Sequence, residues 1–193
     1  GHGLTMYLQD YDETLPAADW GNSYIGPPFT IFAFQKGAGA GPPTWADVFQ
    51  PYMKNSGVLK CPSDASGNPV VNGAVIPGDP LSYGLNYYFY RTLSGFRGNS
   101  NGGTLAEIPR PASKIYVAEV ASNKGIELVR PDRWDGLPRH RGGSNYLYVD
   151  GHAKWRRMPP EWKTLNPPWS DPVAAQNQRW PQWIPWVDAE EQW

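Results

Sequence analysis

Residues 139–152 read Arg139-His140-Arg141-Gly142-Gly143-Ser144-Asn145-Tyr146-Leu147-Tyr148-Val149-Asp150-Gly151-His152. Asp-Gly between two alternating runs is a strong signal for a β-hairpin, because a two-residue type I′ turn needs positive φ at both central positions. We therefore expect residues 145–149 and 152–156 to pair as antiparallel strands. In that register Tyr146 and Tyr148 contact Ala153 and Trp155 across the strands, and His140 lies at the base of the hairpin.

The composition predicts one globular, loop-rich domain. The 193 residues are 40% hydrophobic and 14% aromatic, with 21 Gly and 21 Pro but only 18% charged residues, a composition that favours extended structure over a helical bundle. A net charge of −1 with scattered Lys and Arg argues against nucleic-acid binding. The single cysteine, Cys61, excludes an intrachain disulfide, and no apolar run reaches the length of a membrane-spanning helix.

The N-terminal segment predicts a helix from about Gly3 to Glu13, because apolar residues recur there at helical spacing. No capping side chain precedes the pattern, so we expect the end of a longer helix that packs on the domain. Asp10 and Asp12 lie near its C-terminal end, where carboxylates oppose the helix dipole. We interpret them as a solvated helix end, with a calcium site at Asp10 and Asp12, or in loop 99–103, as the alternative.

Further along the chain, residues 29–34, 82–90, 114–121 and 126–129 are predicted strands. Thr44 is the predicted N-cap of a helix that Pro51 limits or kinks. Cys61 is held extended by Pro62, with a turn at Ser63-Asp64. No thiolate partner is visible nearby in the sequence, so we interpret Cys61 as a buried structural cysteine. Together the segments predict an α+β fold, with the N-terminal helix on a mainly antiparallel sheet and long Gly/Pro loops.

Residues 158–193 differ in character, because tryptophans alternate there with prolines that rule out a regular helix. Each indole favours docking, so we expect an extended arm that packs on its own domain or on a neighbouring subunit. The alternative is a carbohydrate-binding platform. The candidate contact residues of this arm are Trp162, Trp169, Trp180, Trp183, Trp186 and Trp193.

Five segments in order resemble bacterial type IV pilin-like proteins, and more narrowly the prepilin-type processing-associated group with a histidine, nine residues and then Asp-Gly. They are residues 6–16, the stretch from Trp45 to Tyr52, Cys61-Pro62-Ser63-Asp64, residues 82–86, and His140 to Asp150-Gly151. The resemblance covers most of the chain up to about Trp155. It implies the end of a pilin helix over residues 1–15 and a globular domain over 16–157, and the arm over 158–193 lies outside it.

The resemblance also implies a bacterial precursor with a leader and an apolar N-terminal helix, exported to the cell surface and assembled with copies of itself into a filament. Membrane contact would come only through that helix. It implies structural roles for Cys61, Pro62, Asp64, His140 and Asn145, together with Asp150 and Gly151, and no catalytic residue or cofactor. For His140 we expect a hydrogen bond to the hairpin backbone.

Three functions stay open at this point. The first is a structural or adhesive filament subunit, and the second is a surface carbohydrate-binding protein that uses the arm. The third is a glycoside hydrolase, which would need two carboxylates facing each other across a cleft. The carboxylates considered for this role are Asp10, Asp12, Asp64, Glu119 and Asp150. A metal site on His140, His152 and Asp150 is disfavoured, because the two histidines lie on either side of the hairpin and a structural site wants a fourth ligand.

Overall fold

The structure of the protein, a computed structural model, describes residues 1–16, 32–33, 45–67, 70–71, 74–75, 79–86, 89, 104–120, 128–129 and 138–157. Two α-helices lie in this part of the chain, α1 (His2–Asp10) and α2 (Trp45–Met53). Short 3₁₀ helices span Ser56–Leu59, Leu105–Glu107 and Pro111–Ser113. The strands are β1 (Phe32–Ala33), β2 (Val70–Val71), β3 (Ala74–Val75), β4 (Asp79–Pro80), β5 (Tyr83–Asn86), β6 (Ile115–Glu119), β7 (Leu128–Val129), β8 (Gly143–Tyr148) and β9 (Ala153–Arg157).

The main sheet has the strand order β7-β5-β6-β8-β9. Its four strands β5, β6, β8 and β9 pair antiparallel, whereas β7 is parallel to β5. Outside this sheet, β1 pairs with β4 in parallel and β2 pairs with β3 antiparallel. The fold is α+β, and the expectation of a mainly antiparallel sheet is confirmed.

Helix α1 packs against α2 and the sheet, as its apolar spacing predicts. It buries Leu4, Tyr7 and Leu8, and the ring of Tyr7 meets the ring of Phe49 in α2 edge to face, with centroids 5.6 Å apart. Complete burial of an apolar side chain of this size contributes roughly 1.5–3 kcal/mol. A cavity of about 260 Å³ lies between both helices and the sheet face that carries Val117. The helix layer therefore covers one face of the sheet.

The α1 helix ends at Asp10, three residues before the predicted end at Glu13. Asp12 and Glu13 have positive φ angles of 49° and 56°, so the chain leaves helical geometry there. The carboxylate of Asp10 accepts a hydrogen bond from the hydroxyl of Tyr52 at 2.9 Å. Within the described residues, no cluster of three Asp, Glu, His or Cys side chains includes Asp10 or Asp12.

The Asp150-Gly151 hairpin forms where the sequence predicts it, but its turn is different. Only Gly151 of the pair has positive φ, at 91°, and its N–H donates to the carbonyl of Tyr148 at 2.9 Å. The N–H of Tyr148 in turn donates to the carbonyl of His152. This is the three-residue connection in which a type I turn is followed by a left-handed glycine. The prediction of a two-residue type I′ turn is wrong.

The longer turn shifts the strand register by one residue. A two-residue turn would place Trp155 opposite Tyr146, whereas Trp155 lies opposite Asn145 and Ala153 lies opposite Leu147. A shift of one residue moves every side chain of a strand to the other face. The predicted contacts of Tyr146 and Tyr148 with Ala153 and Trp155 are therefore wrong.

The two tyrosines of β8 and the tryptophan of β9 differ accordingly in exposure. Tyr146 and Tyr148 are buried, while Trp155 keeps 46% of its surface exposed. Tyr146 and Tyr148 point to the buried face of the sheet, and Asn145 and its cross-strand neighbour Trp155 lie on the opposite face. Trp155 thus takes part in the surface around His140, which lies just before β8.

The other predicted strands and the predicted helix after Thr44 are present in the described residues, with different bounds. Of the four predicted strands, the described residues form β1 within 29–34, β5 within 82–90, β6 within 114–121 and β7 within 126–129. Pro51 lies inside α2, which continues for two residues beyond it. Thr44, loop 99–103 and the arm over 158–193 lie outside the described residues.

Candidate functional site

Cys61 follows the 3₁₀ helix Ser56–Leu59 and begins the predicted Cys-Pro-Ser-Asp turn. The N–H of Asp64 donates to the carbonyl of Cys61 at 2.9 Å, which closes the turn and confirms that part of the prediction. The side chain of Cys61 is buried, as expected, with the residue only 2% exposed. Pro62 fixes the backbone between them in the geometry that a turn requires.

Asp64 connects this turn to two other segments of the chain. Its carboxylate accepts hydrogen bonds from the hydroxyl of Ser82 at 2.7 Å and from the N–H and hydroxyl of Ser66. It also lies 3.5 Å from the guanidinium of Arg139 and 3.7 Å from the ammonium of Lys60. Arg139 precedes the motif histidine, so Asp64 holds the Cys61 turn beside His140.

Glu119 lies at the end of β6 with no exposed surface. The amide of Asn145 donates to its Oε1 at 2.7 Å, and the hydroxyl of Ser144 donates to its Oε2 at 3.2 Å. Both partners come from β8, the neighbouring strand, so the pairing of β6 with β8 orients the carboxylate. Within the motif, Asn145 therefore holds the carboxylate of Glu119 in place through this hydrogen bond.

His140 lies before β8 and is fixed through its backbone and its ring. Its N–H and carbonyl form an isolated bridge with Gly143, and the indole N–H of Trp155 donates to the same carbonyl at 3.1 Å. The ring nitrogen Nε2 lies 2.9 Å from Oε1 of Glu119 and 3.4 Å from Sγ of Cys61. The expectation that the His140 side chain bonds the hairpin backbone is wrong: the backbone makes those bonds, and the ring points to Glu119 and Cys61.

The three side chains converge on one point, with their ligand atoms all within 4.8 Å of one another. In a nucleophile–histidine–acid triad, the nucleophile and the acid contact opposite nitrogens of the ring. Here the thiol and the carboxylate both approach Nε2. The arrangement therefore does not transfer a proton from Cys61 through the ring to Glu119, and it is not a relay of the cysteine-protease type.

Tyr83, opposite Glu119 in the pairing of β5 with β6, reports the electrostatics around this cluster. The pKa of Tyr83 is raised to about 12, first by burial and then by the nearby Glu119 and Cys61, while Arg139 acts in the opposite direction. The phenol therefore stays neutral near the cluster.

The Asp150-Gly151 end of the motif contacts α1, whereas the His140 end contacts Glu119 and Cys61. The ring of His152 stacks on Tyr148 and lies 2.6 Å from the carboxylate of Asp150, at an exposed position. Gly151 lies against α1: a Cβ at this position would approach the hydroxyl of Thr5 to 2.7 Å, and one on Gly1 would collide with the carbonyl of Gly151. The turn is thus the platform on which the first turn of α1 lies.

The sequence predicts structural roles for Cys61, Asp64, His140 and Asn145, but it does not reveal that Cys61, His140 and Asn145 surround Glu119. It also stated that Cys61 has no partner nearby, which holds only along the chain, since His140 lies 79 residues away. One signal was present, because a carboxylate within an apolar strand needs a partner when that strand is buried. Asp150 and the candidate carboxylates Asp10 and Asp12 lie away from this cluster.

Comparison of the chain with protein-family models, with curated proteins and with solved structures finds no match.

Proposed function

We propose that this chain is a structural, adhesive subunit of an extracellular type IV pilus-like or pseudopilus-like filament at a bacterial surface, exported as a prepilin-like precursor, with no catalytic role. The observation that supports it best is the docking of α1 on the Asp150-Gly151 turn. The motif that carries the family resemblance is, in this chain, the element that fixes the N-terminal helix to the domain.

A filament transmits force from one subunit to the next. In such an assembly the subunits associate through their N-terminal helices in a heterologous, helical arrangement. A domain carried on the outside must be attached firmly to that helix. Here α1 is held by its buried Leu4, Tyr7 and Leu8 and by the close contact at Gly151. Two independent attachments favour a domain that moves with its helix.

Membrane contact in this proposal belongs to a helix of the precursor that precedes residue 1. No helix among the described residues is both long and apolar enough to cross a membrane. The partners in the proposal are copies of the same chain, with surface glycans as further ligands of the arm.

The test is assembly of the full precursor in a host that supplies its export and assembly machinery. Filaments sheared from the cells should react with an antibody against this domain and should be visible by electron microscopy. A Gly151→Val precursor should accumulate in cells at a similar level but yield few filaments, because the side chain separates the turn from α1. Gly142→Val is the matched control: Gly142 also has positive φ, at 81°, but a Cβ there meets nothing within 4 Å.

A wild-type precursor that stays monomeric in the presence of the machinery would contradict the proposal, and so would normal assembly of the Gly151→Val precursor. The carbohydrate-binding alternative rests on an arm outside the described residues. A glycan array with Trp180, Trp183 and Trp186 changed to Ala tests it: loss of glycan binding supports it, and an unchanged signal argues for a packing role.

A further inference from the structure

We propose that Cys61, Glu119 and His140 form a binding site for one divalent transition-metal ion, with Zn²⁺ as the favoured occupant. This goes beyond the filament function, which neither needs nor implies a metal. Among the described residues, it is the cluster in which three different metal-ligating groups bring one ligand atom each to a common point.

The first argument is that two groups compete for one ring nitrogen. The Nε2 atom of His140 carries either one hydrogen or one lone pair. It can therefore make one good hydrogen bond in this plane, yet Oε1 of Glu119 and Sγ of Cys61 lie 2.9 and 3.4 Å from it. A cation between the three atoms satisfies all of them, because the nitrogen lone pair, the thiolate and the carboxylate then all act as donors to it.

The distances come close to what a tetrahedral ion requires. Zn–S bonds of about 2.3 Å and Zn–N bonds of about 2.0–2.1 Å place sulfur and nitrogen about 3.5 Å apart at a tetrahedral angle. The Sγ–Nε2 distance of 3.4 Å fits this value. The nitrogen–oxygen pair at 2.9 Å is short by about 0.4 Å against the same geometry, a shift that the His140 ring, with 29% of its side chain exposed, can make.

The charges also balance. A cysteine thiolate and a glutamate carboxylate together carry two negative charges, which a divalent ion neutralises. Glu119 has no exposed surface, and a carboxylate buried without a compensating positive charge is costly. The guanidinium of Arg139 is directed to Asp64 and to the carbonyl of Val120. A cation held by His140 and Cys61 supplies the compensation.

The ligands are supported as metal ligands usually are. Ligating carboxylates are held by hydrogen bonds of their own, and such supporting residues typically account for 10–100-fold in metal affinity. Asn145 and Ser144 occupy this role for Glu119. The set Cys, His and Glu, with mixed soft and hard donors, suits Zn²⁺ better than Ca²⁺ or Mg²⁺. Three protein ligands leave a fourth coordination position for a water molecule.

The test uses the 193-residue chain, purified with a reductant and stripped of metal with a chelator. Co²⁺ is the first probe, because a cobalt ion bound by a thiolate gives a charge-transfer band together with intense visible bands of a four-coordinate ion. We expect one Co²⁺ per chain with both signatures, displacement of Co²⁺ by Zn²⁺, and an upward shift of the melting temperature when Zn²⁺ is added.

Four variants define the site. Cys61→Ser should remove the charge-transfer band, and His140→Gln and Glu119→Gln should weaken Zn²⁺ binding strongly. Asn145→Ala leaves all three ligands in place and should weaken Zn²⁺ binding by about 10–100-fold. If Glu119→Gln does not fold, the Zn²⁺ affinity of Asn145→Ala tests the role of Glu119 instead.

His152→Gln is the matched control. It removes a histidine that also lies beside a carboxylate, that of Asp150, but at the opposite end of β8. Zn²⁺ affinity should stay unchanged in this variant. The proposal is overturned if Co²⁺ gives no thiolate band with the wild-type chain. It is also overturned if Cys61→Ser binds Zn²⁺ as tightly as wild type, or if His152→Gln abolishes binding. Filament assembly is measured separately, so failure of the metal site leaves the proposed function standing.

Discussion

Three glycines of the motif should respond to alanine in a graded way, because the structure confines each of them differently. Gly142 has a φ of 81° and open space around its missing Cβ. Gly151 has a φ of 91°, and its missing Cβ would lie 2.7 Å from the hydroxyl of Thr5. Gly143 has no positive φ, but its Cβ would collide with the carbonyl of Arg156 and lie 2.5 Å from the indole of Trp155.

The magnitudes follow from these differences. In Gly142→Ala, the left-handed backbone conformation costs about 1–2 kcal/mol for a residue with a Cβ. The alanine also lowers the conformational entropy of the unfolded chain, which offsets part of this cost. We therefore expect the free energy of unfolding to fall by about 1 kcal/mol. Gly151→Ala adds a steric term of about 1 kcal/mol, the low end for overpacking, since Thr5 is exposed and can rotate. Gly143→Ala should lose about 3 kcal/mol or more, because backbone of the paired strand must move.

The assay is urea unfolding of the three variants followed by circular dichroism. A double-mutant cycle isolates the contact with α1: Thr5→Ala should recover about 1 kcal/mol in the Gly151→Ala background and nothing in the Gly142→Ala background. Equal losses for Gly151→Ala and Gly142→Ala, with no coupling to Thr5, would refute the claim that the turn is the platform for α1.

Three further outcomes are expected. Trp155→Phe removes the hydrogen bond to the carbonyl of His140 and should lower the free energy of unfolding by about 1 kcal/mol, measured in urea; an unchanged midpoint would show that this bond contributes nothing. Asp64→Asn leaves the buried guanidinium of Arg139 without its counter-charge and should cost about 3 kcal/mol, whereas a loss below that of Trp155→Phe would contradict the role of Asp64. Burial raises the pKa of Tyr116 well above its ordinary value of 10.0, so its contribution to stability is complete below about pH 10 and is lost as the pH rises toward the folded-state pKa. Unfolding at a series of alkaline pH values checks this, and stability that does not fall above pH 10 would contradict it.

The sequence predicts the hairpin and α1 of this fold, because both depend on local patterns of residues. The Asp-Gly dipeptide located the hairpin, and the apolar spacing located α1. The turn type was wrong because Asp-Gly is compatible with both the two-residue and the three-residue connection. Tertiary contacts decide between them: Val149 is buried, and its N–H donates to the carbonyl of Lys114, the residue before β6. A two-residue turn would place Val149 opposite His152 in the hairpin instead.

The cluster of Cys61, Glu119 and His140 could not be predicted in the same way. Its members come from a turn, the end of β6 and the segment before β8. The antiparallel order of β5, β6 and β8 and the contacts of Asp64 with Ser82 and Arg139 bring them together. Glu119 lies in the clearest internal strand of the sequence, where a buried carboxylate needs a hydrogen-bonding or positively charged partner. Neither its partners nor the shared nitrogen of His140 can be deduced from spacing alone.

The most direct test of the central claim, that this chain is a filament subunit whose motif fixes the N-terminal helix, is a cryo-electron microscopy reconstruction of filaments from cells that express the full precursor. The account predicts helical filaments with α1 directed toward the axis, the Gly151 turn in contact with the first turn of α1, and the sheet on the outside. Filaments in which α1 is separated from the Gly151 turn, or surface fractions that contain only monomers, would contradict it.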